Sequence, residues 1–348
     1  MFTLKKEKGK DFKILNLTDI QIHFADWPET RPQYKVLDLT LRELINRTTP
    51  DLITISGDIS GGEGMQESYK NFADYIDKFG IPWAFVWGNH DVEDGIEIVE
   101  EIGDLYLTYK NCIFEKGDKE LGNGNYVIEI EEDGKTVEAL IMMDTHADDI
   151  KYLLDGDCNL VRNFSYASLT DKQLKWYENE VNRLNKKGAT ESILFIHIPF
   201  YAYREAFLEV TEDDKRINGA VSIEDSYQGV GWKDEYKDRC FGVKREAIGS
   251  PNYDDGVFNV ISKLNHTKNV IAGHEHINNF SIPYKGIRLS YALKTGVCAY
   301  ADRDLNGGTL ITIDENGVKD LHHEYVSISD ELWQEYVDLC DKIKRGLL

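Results

Sequence analysis

The sequence predicts a mixed α/β fold, in which helix-linked parallel strands are joined by antiparallel hairpins. Three observations carry that prediction. From Lys13 to Trp87, apolar runs alternate with helical patterns, as strand, helix, strand units of a parallel sheet do. From Tyr126 to Asp144 the spacing changes to strict alternation around Asp133-Gly134, a hairpin turn signal. Alternation returns from Ser281 to Val326, so the sheet is not purely doubly wound.

Taken in order, Lys13 to Thr18 reads as a first strand followed by Asp19-Ile20-Gln21-Ile22-His23. Extended geometry places Asp19, Gln21 and His23 on one side. Val36, Leu37, Thr40, Leu41, Leu44 and Ile45 then recur at helical spacing. The helix leads into Leu52 to Ile55, an apolar run bounded by Pro50 and by glycines, which reads as a strand covered on both faces. Asp58 stands just beyond its end. A lone buried carboxylate costs several kcal/mol, so such an aspartate faces water, takes backbone hydrogen bonds or holds a cation.

Tyr69, Phe72, Ala73, Ile76 and Phe79 line a second helix, and Pro82 to Trp87 is a third strand that ends in Gly88-Asn89-His90-Asp91. Thr170 with Gln173 forms a capping box for a helix running to about Lys187. Ser192 to Ile196 is a further buried strand, delivering His197. The excursion from Phe200 to Asp254 is rich in aromatic and charged residues and reads as a lid or a decorated insertion. Asp255 to Leu264 is helical. Asn269 to Ala272 is a short strand with Gly273-His274-Glu275-His276 at its end, and two histidines one residue apart can reach the same or adjacent metal ions. Turns are expected at Lys285-Gly286 and Gly307-Gly308, with a terminal helix from about Asp330 to 346. No repeat or linker divides the chain, so residues 1–348 read as one domain with an insertion at about 200–254.

Composition bounds the function. A hydrophobic content of 41% over 348 residues is ample for a core, while a net charge of -22 opposes nucleic-acid backbone and anionic membrane surfaces. No apolar stretch approaches the roughly 20 residues that span a bilayer, and Met1 to Lys10 lacks an apolar leader segment. The expected location is therefore cytoplasmic, or that of a mature form with its leader removed. The five scattered cysteines form no C-x-x-C pair and read as reduced thiols.

Asp19, Asp58, Asn89, His197, His274 and His276 each follow an apolar strand, in the order Asp, Asp, Asn-His, His, His-x-His. In open α/β sheets such strand ends gather into one site. With this constellation the chain closely resembles the calcineurin-like metallophosphoesterases, whose pattern is D-x-H, G-D, G-N-H-D, H and G-H-x-H. The resemblance runs from about Lys13 to Val326. Within that group the chain looks most like the single-domain, purple-acid-phosphatase-like phosphoesterases, on the segments Ile81 to Asp91, His197-Ile198-Pro199 and Ala272 to Phe280.

The resemblance implies a four-layer α/β/β/α sandwich of two mixed sheets and a site for two divalent metal ions. It implies that Asp58 bridges the ions, that Asp19 and His276 complete one shell, and that Asn89, His197 and His274 complete the other. His90 is the implied catalytic residue, contacting phosphoryl oxygens and protonating the leaving group. Two cations about 3.5 to 4 Å apart can clamp phosphate oxygens and lower the pKa of a bridging water. The expected substrate is a small soluble phosphate ester, mono- or diester, with Arg204, Arg239 and Arg245 of the insertion as candidates to meet it.

Two departures matter. Where the family has D-x-H, this chain has Asp19-Ile20-Gln21, so the first metal gains an amide oxygen or nothing in place of an imidazole, or takes His23 instead. A shell poorer in nitrogen favours Mn or Mg over Zn, and Mn is the expected ion among Mn, Fe, Zn and Mg. The stretch Ile59-Ser60-Gly61-Gly62 has no tyrosine, so a coloured ferric-tyrosinate centre is not expected. Asp144-Thr145-His146 follows another apolar strand and could add an outer contact to the site, with His146 itself read as structural. The altered first motif motivates an alternative, a non-catalytic scaffold of the same fold that binds a protein partner.

Overall fold

The computed structural model describes residues 2–22, 31–61, 66–93, 95–154, 160–189, 191–211 and 232–346. Along the chain come β1 (Phe2–Lys5), β2 (Phe12–Leu17), α1 (Pro32–Thr48), β3 (Leu52–Ser56), α2 (Gln66–Ile76), β4 (Trp83–Val86), α3 (Ile96–Tyr106) and β5 (Cys112–Ile113). There follow β6 (Tyr126–Glu132), β7 (Lys135–Met142), β8 (Asp148–Leu154), β9 (Leu160–Tyr166), α4 (Asp171–Lys187), β10 (Ser192–Phe195) and α5 (Ala202–Val210). The last third holds α6 (Val257–Leu264), β11 (Thr267–Ala272), β12 (Ser281–Tyr284), β13 (Ile287–Tyr291), β14 (Gly307–Asp314), β15 (Gly317–Tyr325) and α7 (Asp330–Lys344).

Two mixed sheets result. One runs β1-β6-β7-β10-β11-β13-β12, the other β15-β14-β2-β3-β4-β5, and β8 with β9 forms a separate hairpin. In the second sheet β2, β3, β4 and β5 are parallel, as the strand and helix alternation predicts. In the first, β7, β10, β11 and β13 are parallel while β6–β7 and β12–β13 are hairpins. One apolar cluster joins residues of both sheets, among them Leu15, Ile55 and Phe85 with Ile128, Leu140 and Phe195. A second packs Tyr177 and Val181 of α4, Phe207 of α5 and Ile261 of α6 against strands of the seven-stranded sheet. These layers make the sandwich of two sheets flanked by helices.

The helices stand where their apolar spacing put them. In α1, Val36, Leu37, Thr40, Leu41 and Leu44 are buried, and Pro32 occupies the first turn, where its missing N–H is not needed. In α4 the capping box is complete: the Thr170 hydroxyl accepts from Gln173 N while Gln173 Oε1 accepts from Thr170 N at 2.9 Å.

One local expectation needs correction, and two strand pairings were not anticipated. Gly307-Gly308 is not a turn but the start of β14, whose pairing with β15 runs from Gly307 opposite Tyr325. A Cβ on Gly307 would lie 2.0 Å from the Glu324 carbonyl oxygen, so close strand approach is what requires glycine there. The polar start of the chain is a strand: β1 pairs with β6, and Lys6 and Lys8 reach Glu132 and Asp133 at 2.5 and 2.6 Å. The hairpin of β8 and β9 was not expected, although Asp155-Gly156 between its strands in the sequence is a turn signal of the same kind as Asp133-Gly134.

Glu138, near the start of β7, is fully buried, and burial followed by the nearby Glu191 pushes its carboxyl up to about 8. An acid whose folded pKa exceeds its unfolded value holds its proton more tightly when folded, so stability falls as pH rises between about 4.5 and 8. Glu138→Gln is expected to remove most of that loss and to melt above the parent at pH 9, the gap being roughly a few kcal/mol. Thermal melts at pH 6 and pH 9 check it; parallel pH profiles for the two proteins would refute it.

Candidate metal centre

β2, β3 and β4 lie side by side and parallel, and so do β10 and β11 in the other sheet. Asp19, Asp58, Asn89, His197 and His274 each follow the end of one of these strands within two or three residues. Asp19, Asp58 and His197 each place one ligand atom within 4.8 Å of the others, and all three are buried.

Two halves can be distinguished around Asp58. On one side His197 Nε2 lies 3.4 Å from Asp58 Oδ1 and 3.1 Å from Asn89 Oδ1. Its Nδ1 donates to the Ser56 carbonyl at 2.7 Å, which orients the ring so that Nε2 faces Asp58 and Asn89. The His274 ring stands 5.2 Å from that of His197, and its buried Nδ1 has no hydrogen-bond partner. On the other side His276 Nε2 lies 3.7 Å from Asp19 Oδ1, while its Nδ1 donates to the Tyr300 carbonyl at 2.9 Å. The Tyr300 ring stacks on this imidazole with centroids 4.0 Å apart. Gln21 turns its amide nitrogen to Asp58 Oδ2 at 2.9 Å and leaves a buried Oε1 without a partner.

The donor set suits divalent ions. Carboxylates, an amide, an asparagine and three imidazoles converge, and two of their lone pairs are buried with no protein partner, which leaves them available to a cation. The electrostatics agree. Burial opposes the ionised form of Asp58, but His197 outweighs it and holds the carboxyl low; burial opposes protonated His197, but Asp58 outweighs it and raises the ring to about 9. Burial raises Asp19 to about 6 and, with His197 beside it, lowers His274 to about 3. An acidic, desolvated site therefore holds neutral imidazole at His274 and anionic carboxylate at Asp58, the forms that bind metal.

The backbone is bent to reach this geometry. Asp19, Gln21, Asp58 and His274 have φ of 53°, 46°, 53° and 81°, the left-handed region that L residues seldom adopt. A Cβ on Gly88 would lie 2.0 Å from Asp58 Oδ1, so only glycine lets the loop after β4 close over Asp58.

The structure brings Asp19, Gln21, Asp58, Asn89, His197, His274 and His276 together. His90 stands at the rim, its backbone N–H donating to Asp58 Oδ1 at 3.0 Å and its Nδ1 2.6 Å from Glu93 Oε1. His23 lies outside the described residues. His146 bonds Gln173 at 2.8 Å and takes no part. The three candidate arginines of the insertion are committed elsewhere: Arg204 to Ser250, Arg239 to the Glu235 carbonyl and Arg245 to Asp302 and Asp304.

Sequence reasoning missed the residues that hold the ligands. Asp91 accepts from the backbone of Asp58, Gly88 and Ser60 at 2.8, 2.8 and 3.1 Å and from the Tyr69 hydroxyl at 2.9 Å. Its place at the end of Gly88-Asn89-His90-Asp91 was the available signal. Lys294 is buried and donates to the Asp19 carbonyl; a lone lysine after the apolar run Tyr291-Ala292-Leu293 could have flagged it.

Comparison with known proteins gives the same answer. The model of the calcineurin-like phosphoesterase family matches residues 12–278. The chain is 24% identical over 319 residues to a probable inactive purple acid phosphatase 28 of Arabidopsis thaliana, covering 83% of this chain and 71% of that protein. It is 25% identical to the phosphatase DCR2 of Saccharomyces cerevisiae, spanning 79% of this chain but only 46% of the yeast protein. A dimetal phosphatase from Danio rerio shares the fold with a TM-score of 0.50 at 13% identity, over 91% of this chain and 99% of that one. Among the described residues no helix is long and apolar enough to cross a membrane. With that family model matching across most of its length, this chain belongs to the calcineurin-like phosphoesterase family.

Proposed function

We propose that this chain is a phosphoesterase that uses two divalent ions, with manganese favoured, to hydrolyse a small phosphate ester. The observation that carries the reading is the pair of buried, unpartnered atoms, Gln21 Oε1 and His274 Nδ1, within a cluster of carboxylates and imidazoles. Asp58 is the group shared between the ions, Asp19, Gln21 and His276 hold the first, and Asn89, His197 and His274 hold the second. When bound, such ions neutralise phosphate oxygens and acidify a water molecule.

The protein's own part is orientation and proton delivery. The Glu93 carboxylate engages His90 Nδ1 and leaves Nε2 as the edge open to a substrate. Burial lowers the His90 pKa, but Asp58 and Glu93 raise it more, which favours the acid form needed to protonate a leaving oxygen. A cleft of about 360 Å³ adjoins this ring, lined by Asn89, His90, Glu93, Asp148 and Tyr166 among others. Its carboxylates oppose a polyanionic leaving group and suit a neutral or cationic alcohol. The small-molecule substrate and the absence of a nucleic-acid partner in this reading follow from the same charge.

Metal stripping followed by reconstitution with Mn, then assay of aryl phosphate monoester and diester, tests the reading. Activity that returns with metal supports it. The name of the Arabidopsis relative keeps the scaffold in play as a second reading, and two bound ions without hydrolysis of any ester tried would favour it. His90→Ala is expected to lower turnover by roughly 10²–10⁴-fold at unchanged metal content, as loss of a general acid does. Equal turnover would remove His90 from the chemistry.

A further inference from the structure

Lys294 is 1% exposed, and among the described residues no carboxylate lies within ion-pair distance of its ammonium. Its acceptor is the Asp19 carbonyl oxygen. An ammonium held this deeply against a neutral oxygen is costly unless a wider field of negative charge compensates it. Burial lowers the Lys294 pKa from the ordinary lysine value, and Asp19, then Cys298, Asp58 and Glu246, oppose that shift, so much of the compensating field comes from the two aspartates of the metal centre. The lysine also bears on the first-ion side: its charge acts on Asp19 and disfavours protonated His276.

The segment is stitched in place. Thr295 N donates to the Thr18 carbonyl at 3.0 Å, beside Asp19, and Ala292 N donates to the Ala272 carbonyl at 2.8 Å, beside Gly273. Gly307 N of β14 closes on the Lys294 carbonyl at 2.9 Å. The backbone that carries the lysine is therefore fixed beside Asp19, and the ammonium reaches the Asp19 carbonyl from it. On that side the shell holds an amide, Gln21, and one imidazole, while the other side holds two imidazoles, His197 and His274.

We propose that Lys294 is a built-in counter-charge for the first metal position: its fixed positive charge weakens divalent binding by Asp19, Gln21 and His276, and it holds that acidic half together when no ion is there. The two positions are thus unequal, the His197 and His274 side filling first. The inference rests on the two-ion reading above, and Lys294 is a positioning residue that acts through Asp19.

The test is equilibrium Mn binding, with no substrate present. Calorimetric titration of the metal-stripped protein is expected to resolve one tight and one weak step. Lys294→Met should tighten the weak step by at least about tenfold while moving the tight step little, because removing a buried like charge strengthens the nearer site most. Lys294→Arg should keep the gap. A gap unchanged in Lys294→Met, or closed equally in Lys294→Arg, would overturn the proposal. If the metal-free Met variant unfolds, Lys294→Gln is measured beside it: refolding of either by excess Mn supports the counter-charge, and unfolding that Mn does not reverse makes the lysine merely structural and refutes it. Parent protein that binds no Mn would end the two-ion reading itself, whereas two equal sites untouched by Lys294→Met would end only the present inference.

Discussion

Asp58→Asn should abolish hydrolysis and lower the affinity for both ions by roughly 10²–10³-fold or more, the counterpart of ~3–5 kcal/mol lost when one member of a buried charge pair is removed. The reason is position. Asp58 Oδ1 faces His197 Nε2 and the His90 amide, and Oδ2 faces Gln21, so both halves of the centre depend on the same carboxylate. An asparagine keeps the shape and one acceptor but has no charge to share. Metal content by elemental analysis, with circular dichroism to show the variant folded, checks it. A folded variant that retains two ions would show that Asp58 does not join them.

Asp91→Ala should be among the most destabilising single changes in the protein although it removes no ligand. Three buried backbone donors and the Tyr69 hydroxyl end on this one side chain. Each buried donor left unpaired costs about 1–3 kcal/mol, so a combined loss above ~4 kcal/mol is expected, beyond what ordinary substitutions produce. The donors come from the loops after β3 and β4, so their release also lets Asp58 and Asn89 drift apart. Metal affinity should therefore fall together with the melting temperature, and Asp91→Asn should lie between the alanine variant and the parent. A melting temperature within a degree or two of the parent would sink this account.

The contrast between Asp58 and Asp91 shows what was legible in the sequence and what was not. Asp58 could be read because a strand must end somewhere, and a carboxylate there has few uses. The same logic found Asp19, Asn89, His197, His274 and His276, since the apolar runs before them fix both the strand and its end. Asp91, Lys294 and Tyr300 act on neighbours brought close by tertiary pairing, and no spacing rule relates Lys294 to Asp19, which is far away in the chain. Strands were legible where alternation or a turn residue marked them, as at Asp133-Gly134. Where glycine serves close packing rather than a turn, as at Gly307, the same residue misled. The insertion arginines were chosen for charge alone, and charge did not say that Arg245 has Asp302 and Asp304 to hold it.

The left-handed backbone at Asp19, Gln21, Asp58 and His274 limits how this family member can drift over evolutionary time. Each such residue carries about 1–2 kcal/mol of conformational cost that neighbouring layers must hold in place. Aspartate, asparagine, histidine and glycine adopt that conformation most readily, and β-branched residues least. Exchanges within that polar set at these positions are therefore accessible single steps. Valine, isoleucine or threonine at these four positions would be rejected by the main chain before any ion was lost, so a lineage that abandons catalysis should still show polar residues or glycine there.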